Sequence, residues 1–461
     1  MLSYVLKLYA SVINDYLCVL KLLTMKLKEK VLSVLFAASA VWGLAGCAED
    51  RTYEYMEKTS EARWVESAVQ EWYLWADSMP EVGWKDYFSG SEAFLKKLTS
   101  KIHSADKWSH SEVDSLTKDY HARGGFDHLD SYGLDAVLMT DPTGNTSRQF
   151  VRVKTVYPGS PAERCGLVRN DFITHINGQK VSSSNLANLT SGLSRTLVRC
   201  RLGYSVEEQV FFWNEADTVE MEASEYVEDV AFPLNCVYDI NGYKVGYLMC
   251  NRLVAGAHEK GSAAGEYRAA LDDIMARMKG EAVSALVLDL RLCNYGEMDM
   301  VRRLATYVAG AKDLSLLQTV WKESKAGCNE SVDFEQSVAS SSLALERVYV
   351  ITSGYTQGAA EWLVQGLKGV LGEENVFTFG TKTAGQNVML HPVASASGDV
   401  TLHLAAAYVA DCNGEYGYDG GHVPMAEIDE CSFAELYPYG SLDEVVLAEV
   451  IARMIPLEGF Y

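Results

Sequence analysis

Compact metal-site and hydrolase signatures are missing from this chain. Its ten cysteines form no Cys-x-x-Cys pair and follow no regular spacing, which argues against a zinc ribbon and against a disulfide framework. Its nine histidines never fall as His-x-x-x-His, so neither a zinc site nor any other cofactor is predicted. No Gly-x-Ser-x-Gly elbow and no phosphate-cradling glycine loop occurs. Positive charge is scarce: 40 Lys and Arg stand against 62 Asp and Glu, a net charge of −22. That balance argues against nucleic acid and against direct binding to an anionic membrane surface as partners. Internal repeats and low-complexity tracts are absent. What is present is a chain of 461 residues and 48% apolar content, enough for two or three packed domains.

The first 46 residues read as a targeting region. Lys26, Lys28 and Lys30 precede an apolar run from Val31 to Gly46, too short to span a bilayer and laid out as a secretory signal. The run ends Leu44-Ala45-Gly46-Cys47, which resembles a bacterial lipobox. The resemblance implies cleavage before Cys47 and lipidation of it, hence stable membrane anchoring through two or more acyl chains. Glu49-Asp50 is similar to the surface-export tag of Bacteroidetes lipoproteins. Together these place the chain in the cell envelope, at the outer membrane, with surface exposure as the implication of the tag. Met25 is a more ordinary start than Met1, with a membrane helix in 1–24 as the alternative. A disulfide or two is compatible with export, but no pairing follows from the sequence.

Residues 47–129 read as a linker and a small helical region. Trp64, Ala68, Trp72 and Trp75 share one helical face, and Phe94, Leu95 and Leu98 another. The aromatic stripe is expected to be core. Residues 226–461 alternate strand and helix. Lys244–Met249, Ala285–Leu290 and Arg347–Ile351 are predicted strands, the second continuous enough for a buried parallel sheet. Tyr267, Ala270, Leu271, Ile274 and Met278 mark an amphipathic helix, and Ala359, Leu363 and Leu367 another. This pattern is α/β.

Three segments carry a family resemblance. Thr352-Ser353-Gly354-Tyr355-Thr356-Gln357-Gly358-Ala359-Ala360-Glu361 resembles the Thr-Ser-x-x-Thr-Ala-Ser-Ala-Ser-Glu segment of the C-terminal-processing (tail-specific) serine peptidases. Gly380-Thr381-Lys382-Thr383-Ala384-Gly385-Gln386 resembles their Gly-x-x-Thr-x-Gly-Lys segment. Asp289-Leu290-Arg291-Leu292-Cys293-Asn294-Tyr295-Gly296 resembles Asp-Leu-Arg-x-Asn-x-Gly-Gly, which helps form the oxyanion hole. On these alignments the nucleophile position is Gly358, the base position Gln386, and the oxyanion loop carries Gly296. Tyr295 replaces a glycine, and Leu390 stands where a Gln would orient the base. Near the C-terminus, 418–424 resembles a Gly-Ile-x-Pro-Asp turn, with Met425 in place of the Asp. His422 beside Asp419 reads as a solvated turn rather than a pH-sensitive pair. The resemblance implies a crotonase-like (spiral ββα) core.

A further block, residues 130–225, resembles a PDZ domain. Pro158-Gly159-Ser160-Pro161-Ala162-Glu163-Arg164-Cys165-Gly166-Leu167 and Asp171-Phe172-Ile173-Thr174-His175-Ile176-Asn177-Gly178 stay close to that pattern, although Asn170 replaces the usual Gly. PDZ domains add a peptide strand at a sheet edge and hold its carboxylate on loop amides. Gly133 and Leu134 are the expected donors.

A Ser–Lys dyad needs a hydroxyl to attack and an amine to accept its proton. Glycine and a carboxamide supply neither. The expectation is a lipoprotein shaped like a serine peptidase but inactive, binding polypeptide C-termini or unfolded exported proteins. The alternative is an active peptidase with a shifted nucleophile, Ser353 or Thr356, served by Lys382.

Overall fold

The computed structural model describes residue 24 and residues 52–100, 106–113, 131–143, 147–257 and 265–454. Cys47, the 1–46 targeting region and the polar stretch up to Arg51, apart from Thr24, lie outside the described residues. By compactness the chain divides into residues 1–63 and 64–461. In the first unit, Thr52–Lys58 is a helix carrying an exposed Glu54–Lys58 ion pair at 2.6 Å. Among the described residues no helix is long and apolar enough to cross a membrane.

The second unit is mixed α/β. Its centre is a six-stranded sheet in the order Leu234–Ile240, Tyr243–Met249, Ala285–Asp289, Val348–Thr352, Val376–Gly380, Ala426–Glu427. The first pair is antiparallel and the remaining pairs are parallel. The central strands are apolar on both faces because both faces are covered. Helices Glu266–Gly280, Met298–Ala309 and Ala359–Leu371 pack in one apolar cluster, and Val445–Met454 contributes Val446, Leu447 and Val450 to another. A second sheet is antiparallel and includes His110–Val113, Val388–Ala394, Val400–Asp411 and Leu317–Trp321.

The helical region departs from the predicted aromatic stripe. Helix Ser60–Trp72 buries Val65, Ala68 and Val69, while Trp64 and Trp72 are half-buried and Trp75 lies beyond its end. Trp72 packs on His391 at 4.2 Å and takes the Lys325 ammonium at 3.6 Å from its ring. The indole edge prefers this amphipathic position to the fully dry one. Helix Ser91–Thr99 buries Phe94, Leu95 and Leu98 as expected from their spacing.

Between these parts lies a five-stranded antiparallel path: Leu134–Thr140, Gln149–Val156, Phe172–Ile176, Arg195–Cys200, Asp217–Met221. It packs on the short helix Pro161–Arg164, which Ser160 caps by accepting the Glu163 N–H at 3.2 Å. Leu134–Thr140 is an edge of the sheet.

Candidate functional site

The segments after two neighbouring parallel strands converge on one cleft of about 620 Å³. Val348–Thr352 leads to Gly358 at the start of helix Ala359–Leu371, and Val376–Gly380 leads to Gln386. Gly358 has φ +55° and ψ −115°, a backbone conformation that an L side chain adopts only under strain. A Cβ at Gly358 would sit 3.1 Å from Gln386 Oε1. The two positions assigned to a dyad therefore do face each other. What occupies the space is a pair of carboxamides: Gln357 Nε2 donates to Gln386 Oε1 at 2.9 Å.

Glu361 organises this arrangement from the first turn of the helix. Its carboxylate accepts the N–H groups of Gly358 at 3.2 Å, Gly385 at 2.7 Å and Gln386 at 2.6 Å, and the Thr383 hydroxyl. Burial pushes its pKa up, and these hydrogen bonds pull it only part of the way back. The position was legible as the last residue of the first motif, but its role as the tie between both loops was not.

Gly296 closes the cleft floor. It bridges Leu253, and a Cβ there would lie 2.7 Å from Ala359 Cβ and 2.5 Å from Leu253 Cβ. No side chain fits. Neither the Gly296 nor the Ala359 amide has an acceptor among the described residues, so the two can act as donors to a ligand oxygen. Tyr295 and Leu390 also line the cleft, as their motif positions imply. Asp289 and Arg291 of the same motif do not; they turn to the other side of the strands. One wall was not anticipated. It comes from Lys107, Trp108, His110 and Glu112, with His403 opposite. His403 Nε2 lies 3.0 Å from Glu112 Oε2, and the His110 and His403 rings stack at 4.6 Å. The only advance sign was that the helical region ended at Asp106–Ser109.

The shifted nucleophiles are not set up for attack. The Ser353 hydroxyl donates to the Arg291 carbonyl at 2.5 Å and lines a separate cavity of about 320 Å³. The Thr356 hydroxyl is fully buried and donates to the Leu290 carbonyl at 2.9 Å. Lys382 is exposed and outside the cleft lining. His422 is not in a solvated turn. It is buried, stacked on Tyr418 at 4.7 Å, and Nε2 lies 3.3 Å from the Glu361 carbonyl oxygen. Burial holds its pKa down at about 4.

In the expected carboxylate loop of the PDZ-like sheet, one of the two donors is already taken. The Gly133 N–H donates to Ser131 Oγ at 2.8 Å, and Leu134 is buried in register with Val156. Gly133 is therefore not a free donor. Asn170 has φ +76°, a region that favours glycine and that asparagine tolerates. Its Oδ1 accepts from Arg152 Nε at 3.0 Å and from a terminal nitrogen at 2.6 Å. Arg152 also reaches the carbonyls of Phe433 and Ala434, fastening the sheet to the core.

Comparison with known proteins agrees with this fold. Residues 60–110 match the peptidase S41 N-terminal domain and residues 152–198 match a PDZ domain. A putative S41 protease from Bacteroides fragilis NCTC 9343 is 28% identical, with a TM-score of 0.73 over 85% of this chain and 96% of that one. The chain is a peptidase S41-like protein with a PDZ domain. A weaker likeness links it to a photosystem II D1 C-terminal processing protease, 16% identical with a TM-score of 0.48, over 83% of this chain and 94% of that one. A search of curated proteins found no match. In this S41-like chain Gly358 and Gln386, the residues that the motif alignment assigns to a nucleophile and a base, face each other across a formed cleft.

Proposed function

We propose that this S41-like protein is a non-proteolytic, lipid-anchored envelope protein that binds polypeptide C-termini. One observation carries the reading. Among the described residues lining the cleft there is no Ser, Thr or Cys. The cleft keeps main-chain donors at Gly296 and Ala359 and the positive end of a helix, which suit a carbonyl or carboxylate oxygen. Acyl transfer needs a nucleophile as well. The cleft also offers apolar wall from Trp108, Trp362 and Met389. The edge strand Leu134–Thr140 supports a second placement, in which an extended segment adds to the PDZ sheet.

The test is incubation of the purified protein with an unfolded substrate bearing an apolar C-terminus. No cleavage above buffer is expected. Turnover that Ser353→Ala or Lys382→Ala abolishes would overturn inactivity. Binding is tested with one apolar-ended peptide in acid and amidated forms. The acid should bind more tightly, and Gln386→Trp should remove binding if the cleft is the site. Binding that survives Gln386→Trp moves it to the PDZ edge. Fatty-acid labelling lost in Cys47→Ala tests the anchor; labelling that persists rejects it.

A further inference from the structure

Eight cysteines lie among the described residues, all as free thiols. Two of them are held close together. Segments 249–253 and 289–296 run side by side. Met249 pairs with Asp289 in parallel register, and the Cys250 N–H donates to the Asp289 carbonyl at 2.9 Å. Further along, the Leu253 N–H donates to the Tyr295 carbonyl at 3.0 Å, and the Leu253 carbonyl accepts the Glu297 N–H at 2.7 Å. Between these two ties sit Cys250 and Cys293, both fully buried in the same apolar cluster. Cys250 Sγ donates to the Arg252 carbonyl at 3.3 Å, and Cys293 Sγ points to the Tyr295 carbonyl at 3.9 Å. Burial, and after it the neighbouring Cys293 thiol, pushes the Cys250 pKa up.

We propose that Cys250 and Cys293 are a redox pair: a dithiol under reducing conditions, and a disulfide when a disulfide-class oxidant meets the folding chain. The step is thiol–disulfide exchange. One Cys thiolate attacks the oxidant's S–S bond and releases one thiol; the second Cys thiolate then displaces the other. Two electrons and two protons leave the pair, and the oxidant becomes two thiols. Burial holds the Cys250 thiol neutral in the folded protein, and only a thiolate attacks. The exchange therefore belongs to folding, before the core closes. Once formed, the bond would pin the Leu253–Gly296 bridge and with it the amide at the cleft floor.

The test is mass mapping of the full chain. The chain is reduced and unfolded, refolded in a mixture of oxidised and reduced glutathione, then treated with an alkylating reagent and digested. The expected result is a Cys250–Cys293 linked peptide that disappears on reduction, with a melting midpoint several degrees above that of the reduced protein. Alkylation of both residues after refolding, or linkage of either to another cysteine, would overturn the proposal. In Cys293→Ser, Cys250 should be alkylated, and a crosslink persisting on Cys250 would reject the pairing. Mapping of the unsubstituted chain decides the matter even if that variant does not fold.

Discussion

The cleft and the seam between the PDZ sheet and the core lie beyond the ends of the same parallel strands, yet they are made of opposite materials. At the seam, full charges are buried and compensated. The Arg291 guanidinium contacts Asp289 at 2.9 Å, Glu430 at 2.7 Å and Glu444 at 3.0 Å. Arg169 from the PDZ side reaches Glu430 at 2.8 Å, and the Tyr439 ring lies 3.9 Å from Arg169 and 4.8 Å from Arg291. At the cleft, the groups facing each other between positions 358 and 386 are a glycine, two carboxamides and main-chain amides, while Lys107, His110, Glu112 and His403 line another part of it. Paired ions fasten one region; between positions 358 and 386 of the other only neutral groups face each other, held in place by the Glu361 carboxylate. The difference separates the requirements of the fold from those of a reaction. The seam needs its charges because each is buried against another. The cleft keeps the Gly358–Gln386 frame through Glu361 and backbone geometry, so these two positions hold their places without a hydroxyl or an amine.

The largest test of this contrast is Arg291→Met. It leaves Asp289 buried without its cation and Glu430 and Glu444 with Arg169 as their remaining arginine, and breaking such a network by removing one partner costs roughly 3–5 kcal/mol. Gln386→Met in the cleft removes neutral hydrogen bonds worth about 1 kcal/mol. Denaturant unfolding of the two variants should differ by that margin. Equal losses would erase the distinction between seam and cleft.

Acid should next separate them by sign. Burial raises the Glu430 pKa, but Arg291, Arg169 and Lys154 more than reverse it, leaving about 2 against the ordinary 4.5. A depressed folded pKa gives stability that is complete above the unfolded value and lost as pH falls from about 4.5 to 2. The shift corresponds to about 3 kcal/mol at most. Glu361 acts in the opposite direction: its pKa is raised, so protonation favours the folded state, and stability falls as pH rises through the interval above 4.5. Glu430→Gln should flatten the acid limb of a stability–pH profile, and Glu361→Gln should not. An unchanged acid limb in Glu430→Gln would remove the seam's electrostatic role.

Much of this architecture was legible in the sequence. The apolar runs at Ala285–Leu290 and Arg347–Ile351 read as buried strands, and the 3.6-residue spacing at Ala359, Leu363 and Leu367 read as a helix. The meeting of Gly358 and Gln386 followed from motif spacing. Glu112 and His403 were not legible as cleft residues, because they come from separate strands whose convergence is set by sheet topology. Gly133 was misread for a different reason. Its sequence permits a carboxylate loop, but Ser131 supplies the acceptor internally, and no local pattern announces that bond. Val65 and Val69 replaced the Trp stripe because periodicity gives a face and leaves open which of its residues lie deepest.

A smaller effect is expected at Asn170, which belongs to the seam although it lies in a PDZ loop. Asn170→Gly keeps the φ of +76° but deletes the oxygen that holds Arg152. Losing hydrogen bonds to a buried charged group should cost about 2 kcal/mol. Asn170→Ala removes the same oxygen and adds positive-φ strain, about 1 kcal/mol more. A thermal-unfolding series should therefore rank the wild type above Asn170→Gly, and Asn170→Gly above Asn170→Ala. If the glycine variant matches the wild type, Arg152 is held by the Cys431, Phe433 and Ala434 carbonyls without Asn170.

The smallest effect is the most diagnostic for the cleft. Gly358→Ala places a Cβ on a backbone at φ +55°, and also 3.1 Å from Gln386 Oε1. Strain of this kind costs about 1 kcal/mol, and the contact falls on the end of a side chain that can turn aside. The two contributions separate in a double-mutant cycle. If the backbone carries the cost, Gly358→Ala loses the same stability in wild type and in Gln386→Ala. If the contact carries it, the loss vanishes once Gln386 is truncated. Backbone strain is the expected outcome, because Glu361 holds the Gly358 amide at 3.2 Å whatever stands at 386. A serine at 358 would meet the same strain. Glycine there then relaxes the turn while leaving its geometry in place, in keeping with the proposed binding cleft. A loss that disappears with Gln386→Ala would instead make the carboxamide pair the element that shapes the cleft.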